Sequence, residues 1–139
     1  MDDFRQAAGP GQLTSDDTVT LARTAAEAIR GLNHATRHEA GLGQPSAAYD
    51  VLGALTLAAS RLGQALAQIA RYLDQALADG RLGHDLGDDP CFAVETAGLF
   101  LDDARLSAAA LAGHLDAAWQ QTALLNGQPS LHHKDRQQL

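Results

Sequence analysis

His34 and His38 lie four residues apart, a spacing that on a continuous helix puts both imidazoles on one face, within reach of a single metal ion. Two nitrogen donors do not complete a site. A zinc centre needs a third protein ligand, which His114 or the Asp102-Asp103 pair supplies only through tertiary packing. Arg23, Arg30 and Arg37 share the face of the histidines and repel a cation. The sequence therefore assigns no metal and no cofactor, and His34, His38 and His114 stand as the candidates for an alternative reading, a bundle that holds a metal or a small ligand. Cys91 falls in the first turn of a helix, where the dipole lowers a thiol pKa, but Pro90, Phe92 and Val94 are packing neighbours and only His84 is near in sequence. The loop Asp85-Leu86-Gly87-Asp88-Asp89 gathers three carboxylates without the twelve-residue ligand spacing and terminal Glu of a calcium loop. Gly9-Pro10-Gly11 and Gly41-Leu42-Gly43 lack the Lys-Ser/Thr that follows a phosphate-cradling loop. No residue is assigned to catalysis, and the chain reads as a protein without enzymatic activity.

Composition bounds the elements that hold these residues. Of 139 residues, 28 are Ala and 22 are Leu, strong helix formers, while β-branched and aromatic residues are scarce. The fold expected is all-α. A formal charge of −7 opposes the neutralisation of nucleic-acid phosphates. Arg23, Arg30, His34, Arg37 and His38 form a local basic stripe, relieved by Glu27, that suits an anionic partner. That stripe carries a further alternative, a DNA-associated regulator. With a single cysteine, Cys91, no intrachain disulfide forms, and a reducing, cytoplasmic compartment is expected. The start Met1-Asp2-Asp3-Phe4-Arg5 lacks the features of a secretory signal, and no apolar run reaches the length of a membrane span.

Punctuation by Gly, Pro and Asp predicts three helices, over about 16–39, 46–79 and 90–126, inside a bundle spanning 15–127, with flexible ends at 1–14 and 128–139. The second helix offers Leu52, Leu55, Ala59, Leu62, Leu66, Ile69, Leu73 and Ala76 at alternating spacings of three and four. The third offers Val94, Ala97, Leu101, Ala104, Ala108, Leu111, Leu115, Ala118, Thr122 and Leu125 in the same rhythm. Short connections make neighbours antiparallel, which gives an up-down-up three-helix bundle with long second and third helices. At 1.5 Å per residue the first helix reaches about 36 Å and the others about 50–55 Å, so it leaves one end of its partners bare. That end carries Tyr72, Leu73, Leu77, Phe92, Leu99 and Phe100, an apolar surface for a second copy or another helical protein, unless Phe4 and Leu13 fold back over it. The function expected is thus a protein–protein interaction or homo-oligomerising module, an adaptor or regulatory subunit that forms a homodimer or receives a partner helix.

Asn33-His34-Ala35-Thr36, together with the helix opening Ala48-Tyr49-Asp50-Val51-Leu52-Gly53, resembles uncharacterised small helical proteins of actinobacteria. The resemblance covers the three helices and not the ends. It implies an intracellular protein and carries no activity, cofactor or site residue.

Overall fold

A computed structural model describes residues 11–129, and these are all-helical: α1 (Ser15–Ala35), α2 (Glu39–Leu42), α3 (Pro45–Ala78) and α4 (Pro90–Thr122), with no strand among the described residues. Of the ends expected to be flexible, residues 1–10, including Phe4, and 130–139 lie outside the described residues. No helix among the described residues is long and apolar enough to cross a membrane. The chain divides into two compact units, Met1–Gly43 and Gln44–Leu139.

In the first unit, α1 starts on a capping box. The Asp17 N–H donates to the Thr14 hydroxyl at 3.2 Å, and the Asp17 carboxylate accepts from the Thr14 N–H and hydroxyl at 3.0 Å each. The backbone N–H of Thr14, and then its hydroxyl, hold the Asp17 carboxyl below the usual range. Because the folded value is depressed, this contribution is present at neutral pH and is lost as pH falls through the Asp17 titration. The helix ends at Ala35, four residues short of the expected terminus. The Thr36 hydroxyl donates back to the Leu32 carbonyl at 2.8 Å, the Arg37 N–H turns to the His34 carbonyl, and His38 is extended. Gly41 then packs against the backbone carbonyl of Ala35, where any Cβ would collide. The glycines that punctuate this stretch thus close the single turn of α2, and α1 ends before them. No residue of α1 is buried, and only Leu32 is half-buried.

The second unit is an antiparallel pair of long helices. Proline at the first position of α3 and α4 fits a place whose N–H has no intrahelical partner, and the Asp89 carboxylate caps α4 by accepting from the Cys91 N–H at 2.9 Å. α3 stops in a Schellman turn: the Arg81 N–H reaches the Ala76 carbonyl at 2.9 Å, the Gly80 N–H reaches that of Leu77 at 3.1 Å, and Gly80 sits at φ 71°. α4 ends at Thr122, earlier than the Asn126-Gly127 stop expected, because its hydroxyl takes the Trp119 carbonyl at 2.6 Å and the next turns tighten to i→i+3 bonds.

Between α3 and α4 the buried residues are Ala59, Ala76, Val94 and Ala108, none larger than valine. The seam follows the expected rhythm, with four of its positions within the helices turned outward. Leu52, Ala59, Leu66 and Leu73 of α3, and Val94, Leu101, Ala108 and Leu115 of α4, turn inward as expected. Of their alternates, Leu55 and Ala76 of α3 and Ala97, Ala104 and Thr122 of α4 also turn inward as expected, whereas Leu62, Ile69, Leu111 and Ala118 are exposed and Gly63, Ala70, Ala112 and Trp119 are half-buried beside them. Small residues let the two backbones approach, so the larger Leu62 and Ile69 remain about half exposed. At one end Trp119 stacks on Tyr49 with ring centroids 5.4 Å apart and lies over Gly53, where a Cβ would come within 2.9 Å of the indole.

Two glycine substitutions separate these roles. Gly53→Ala raises helix propensity yet displaces Trp119, so it lowers the unfolding midpoint and shifts the indole emission, whereas Gly113→Ala, which meets open space, raises stability by about 0.5–1 kcal/mol. Equal stabilisation by both in urea titrations would contradict the close approach at Gly53.

Candidate functional site

Among the described residues, those with catalytic or ligating chemistry do not converge. With α1 ending at Ala35, His34 is helical and His38 caps α2 in extended backbone, so the four-residue spacing no longer places them on one helical face. Arg23 and Arg30 stay on α1, Arg30 facing Glu27 at 3.6 Å with both side chains largely in water, while Arg37 follows in the turn. His114 is exposed on α4 in the other unit. Among the described residues no three His, Cys, Asp or Glu side chains group as metal ligands. In the loop between α3 and α4, the His84 Nδ1 accepts the Leu86 N–H at 3.2 Å, so its proton is on Nε2 and the approach of Asp88 at 4.0 Å is not an ion pair in that state.

What the second unit does present is two unlike flanks. The groove lined by Ser60, Gly63, Gln64, Ala67, Asp102 and Arg105 levels Ser60 with Ala109 and Ala67 with Asp102, and its neighbour levels Asp74 with Glu95. One side of the hairpin is thereby defined by positions 60, 67 and 74 of α3 and 95, 102 and 109 of α4. By helical periodicity the opposite side carries Leu55, Ala58, Leu62, Ala65, Ile69 and Tyr72 beside Ala93, Ala97, Phe100, Ala104, Ser107, Leu111, His114 and Ala118. No Asp, Glu, Lys or Arg occurs among them, but the Arg81 guanidinium lies over the Tyr72 ring, 5.6 Å from its centroid, and Arg61 and Asp103 stand at the edges. Leu62, Ile69 and Leu111 are 48%, 50% and 49% exposed, and Tyr72 and Phe100 are more open still. Burying five such side chains fully is worth about 1–2 kcal/mol each, which together approaches the whole stability of a typical domain.

The six residues expected to form the contact surface are distributed by this geometry. Tyr72 and Phe100 project from the uncharged flank. Phe92 and Leu99 lie on the groove side, Leu99 in the wall of the groove that holds Asp74 and Asp102, and Leu73 and Leu77 are half-buried at the seam between the helices. Sequence reasoning did not find the Tyr49–Trp119 stack or the lack of charge along one flank. The first was signalled by Gly53, four residues after Tyr49 and small enough to admit an indole; the second by every charged residue of α3 and α4 falling outside two of the seven heptad positions.

Cys91 meets a carboxylate instead of a base. Its Sγ–H donates to Glu95 Oε1 at 3.4 Å, and this bond, followed by the Glu95 charge, pushes the thiol up from its ordinary value. The helix N-terminus therefore does not make it a nucleophile, since thiolate is the reactive form. Glu95→Gln is expected to speed alkylation of Cys91 by iodoacetamide severalfold at pH 8; an unchanged rate would show that Glu95 does not hold the thiol protonated.

Comparison of the chain with protein families, with curated proteins and with solved structures finds no match.

Proposed function

We propose that the protein is a cytoplasmic, non-enzymatic helical interaction module that associates through the uncharged flank of its α3/α4 hairpin, as a homodimer. The observation that carries this reading is that flank itself: two helices of 34 and 33 residues present alanine and large apolar side chains to water from positions that hold no charged residue, with the Arg81 guanidinium over Tyr72 at one end. A solvated surface of such length would carry charge, and an apolar patch of this kind marks a surface that another helix covers. In the same proposal α1, whose Leu21, Ala25, Ile29 and Leu32 recur at helical spacing, is the third helix of an up-down-up bundle. Ile69, Tyr72 and Phe100 are the most exposed of the flank's large apolar side chains and form the part offered to a second chain. An uncharged surface suits a two-fold contact, in which each group meets its own copy and like charges would oppose association.

Light scattering after size exclusion over a hundredfold concentration range tests the reading. The native chain is expected to give twice the mass of the protomer, and Tyr72→Glu or Phe100→Glu to give the protomer mass with unchanged helicity by circular dichroism. A native chain that stays monomeric throughout, or variants that dimerise as the native chain does, would overturn it.

A further inference from the structure

The other side of the hairpin differs in chemistry and leads to a different partner. Two open grooves of about 580 and 440 Å³ lie end to end there, sharing Asp102. Gly63 and Gly98 are at their floor, and a Cβ added at either meets nothing within 4 Å, so the space above both backbones is free. Phe92, Leu99 and Leu106 repeat every seven residues along α4, each about 70% exposed or more. On the same side stand five carboxylates, Asp50, Asp74, Glu95, Asp102 and Asp116, against the guanidinium groups of Arg71 and Arg105. Arg105 is held by Asp102 at 3.1 Å in a pair open to solvent, which holds it weakly.

We propose that this groove is a docking site for a basic amphipathic helix of another protein, one that lays an apolar stripe between Leu99 and Leu106 over Gly63 and Gly98 and sets Arg or Lys against Glu95 and Asp102. From Ser60 to Asp74 the groove runs about 21 Å, or four turns of a helix. Glu95 and Asp102 are seven residues apart, about 10.5 Å along α4, and two basic residues seven apart on the incoming helix match that repeat in one register. Recognition by anchors at i, i+3, i+4 and i+7 with charge complementarity along the rim is an established mode of helix binding. A second copy of the chain does not fit here through this same side, because its acidic row would face an identical one. The inference rests on the reading of the chain as an interaction module, but it uses the flank away from the dimer contact, so failure of dimerisation leaves it standing.

The probe is a labelled 18-residue peptide of Leu at i, i+3, i+4, i+7 and i+11 with Arg seven apart at its edge, titrated against the full chain by fluorescence anisotropy beside a twin with Glu for Arg. The Arg peptide is expected to bind at least tenfold tighter than its twin, to weaken with added salt, and to lose at least tenfold in affinity to Gly98→Leu, which fills the floor while circular dichroism and unfolding midpoint stay native. Asp102→Asn is expected to weaken the Arg peptide and leave the Glu peptide unchanged. No binding of the Arg peptide, equal affinity for the twins, or full affinity in Gly98→Leu would each overturn the proposal. So would loss of self-association in Gly98→Leu without peptide, since a second copy would then be the occupant.

Discussion

The close approach of α3 and α4 through small residues is the constraint on which the rest of the second unit depends. With Ala59, Ala76 and Ala108 buried, and Gly63 and Gly98 alongside them, the contact between the helices leaves the inward Leu52, Leu66, Leu73, Leu101 and Leu115 only half-buried. Helices that pack through alanine and glycine gain dispersion contact between backbones but bury little apolar area for each residue. Larger side chains are displaced to the two flanks, and what each flank carries there decides what it can meet. The caps at Asp89 and Gly80 fix the ends of the pair and the Tyr49–Trp119 stack closes it at the other extremity, but none of these supplies a core.

Charge then makes the two flanks unlike. Leu62, Ile69, Tyr72, Phe100 and Leu111 stand at helical positions without a charged residue, with Arg81 over Tyr72 at one end, while Asp74, Glu95 and Asp102 line the grooves on the other side. Both are apolar enough to be covered, yet only the first tolerates a second copy of itself, and only the second selects a cationic helix.

Helical class was legible in Ala and Leu, and the starts of α3 and α4 in the prolines at 45 and 90, since proline fits the first turn and little else in a helix. The outward turn of Leu62, Ile69 and Leu111 was not legible, because a rhythm of three and four allows two neighbouring sets of positions, and choosing the bulkier residue at each assumes that large residues make the contact. Gly63 and Gly98 decide otherwise, and their effect depends on the partner helix lying opposite, which a single strand of periodicity does not contain. The early end of α1 was hidden in the same way: Gly41 and Gly43 signalled a stop, but it is the approach of Gly41 to the Ala35 carbonyl that makes it the stop of a separate turn. For Cys91 the helix dipole was weighed against packing by Pro90, Phe92 and Val94, and the part of Glu95, one turn further on, in raising the thiol was not seen.

The claim most central to this account is that the uncharged flank is covered in solution, and solvent paramagnetic relaxation of methyl groups addresses it without a mutation. With a soluble gadolinium chelate, the methyls of Leu62, Ile69 and Leu111 are expected to relax several times more slowly than those of Leu124, which is 77% exposed. Relaxation of Leu62, Ile69 and Leu111 as fast as Leu124, at concentrations where the chain is monomeric and where it is not, would contradict it.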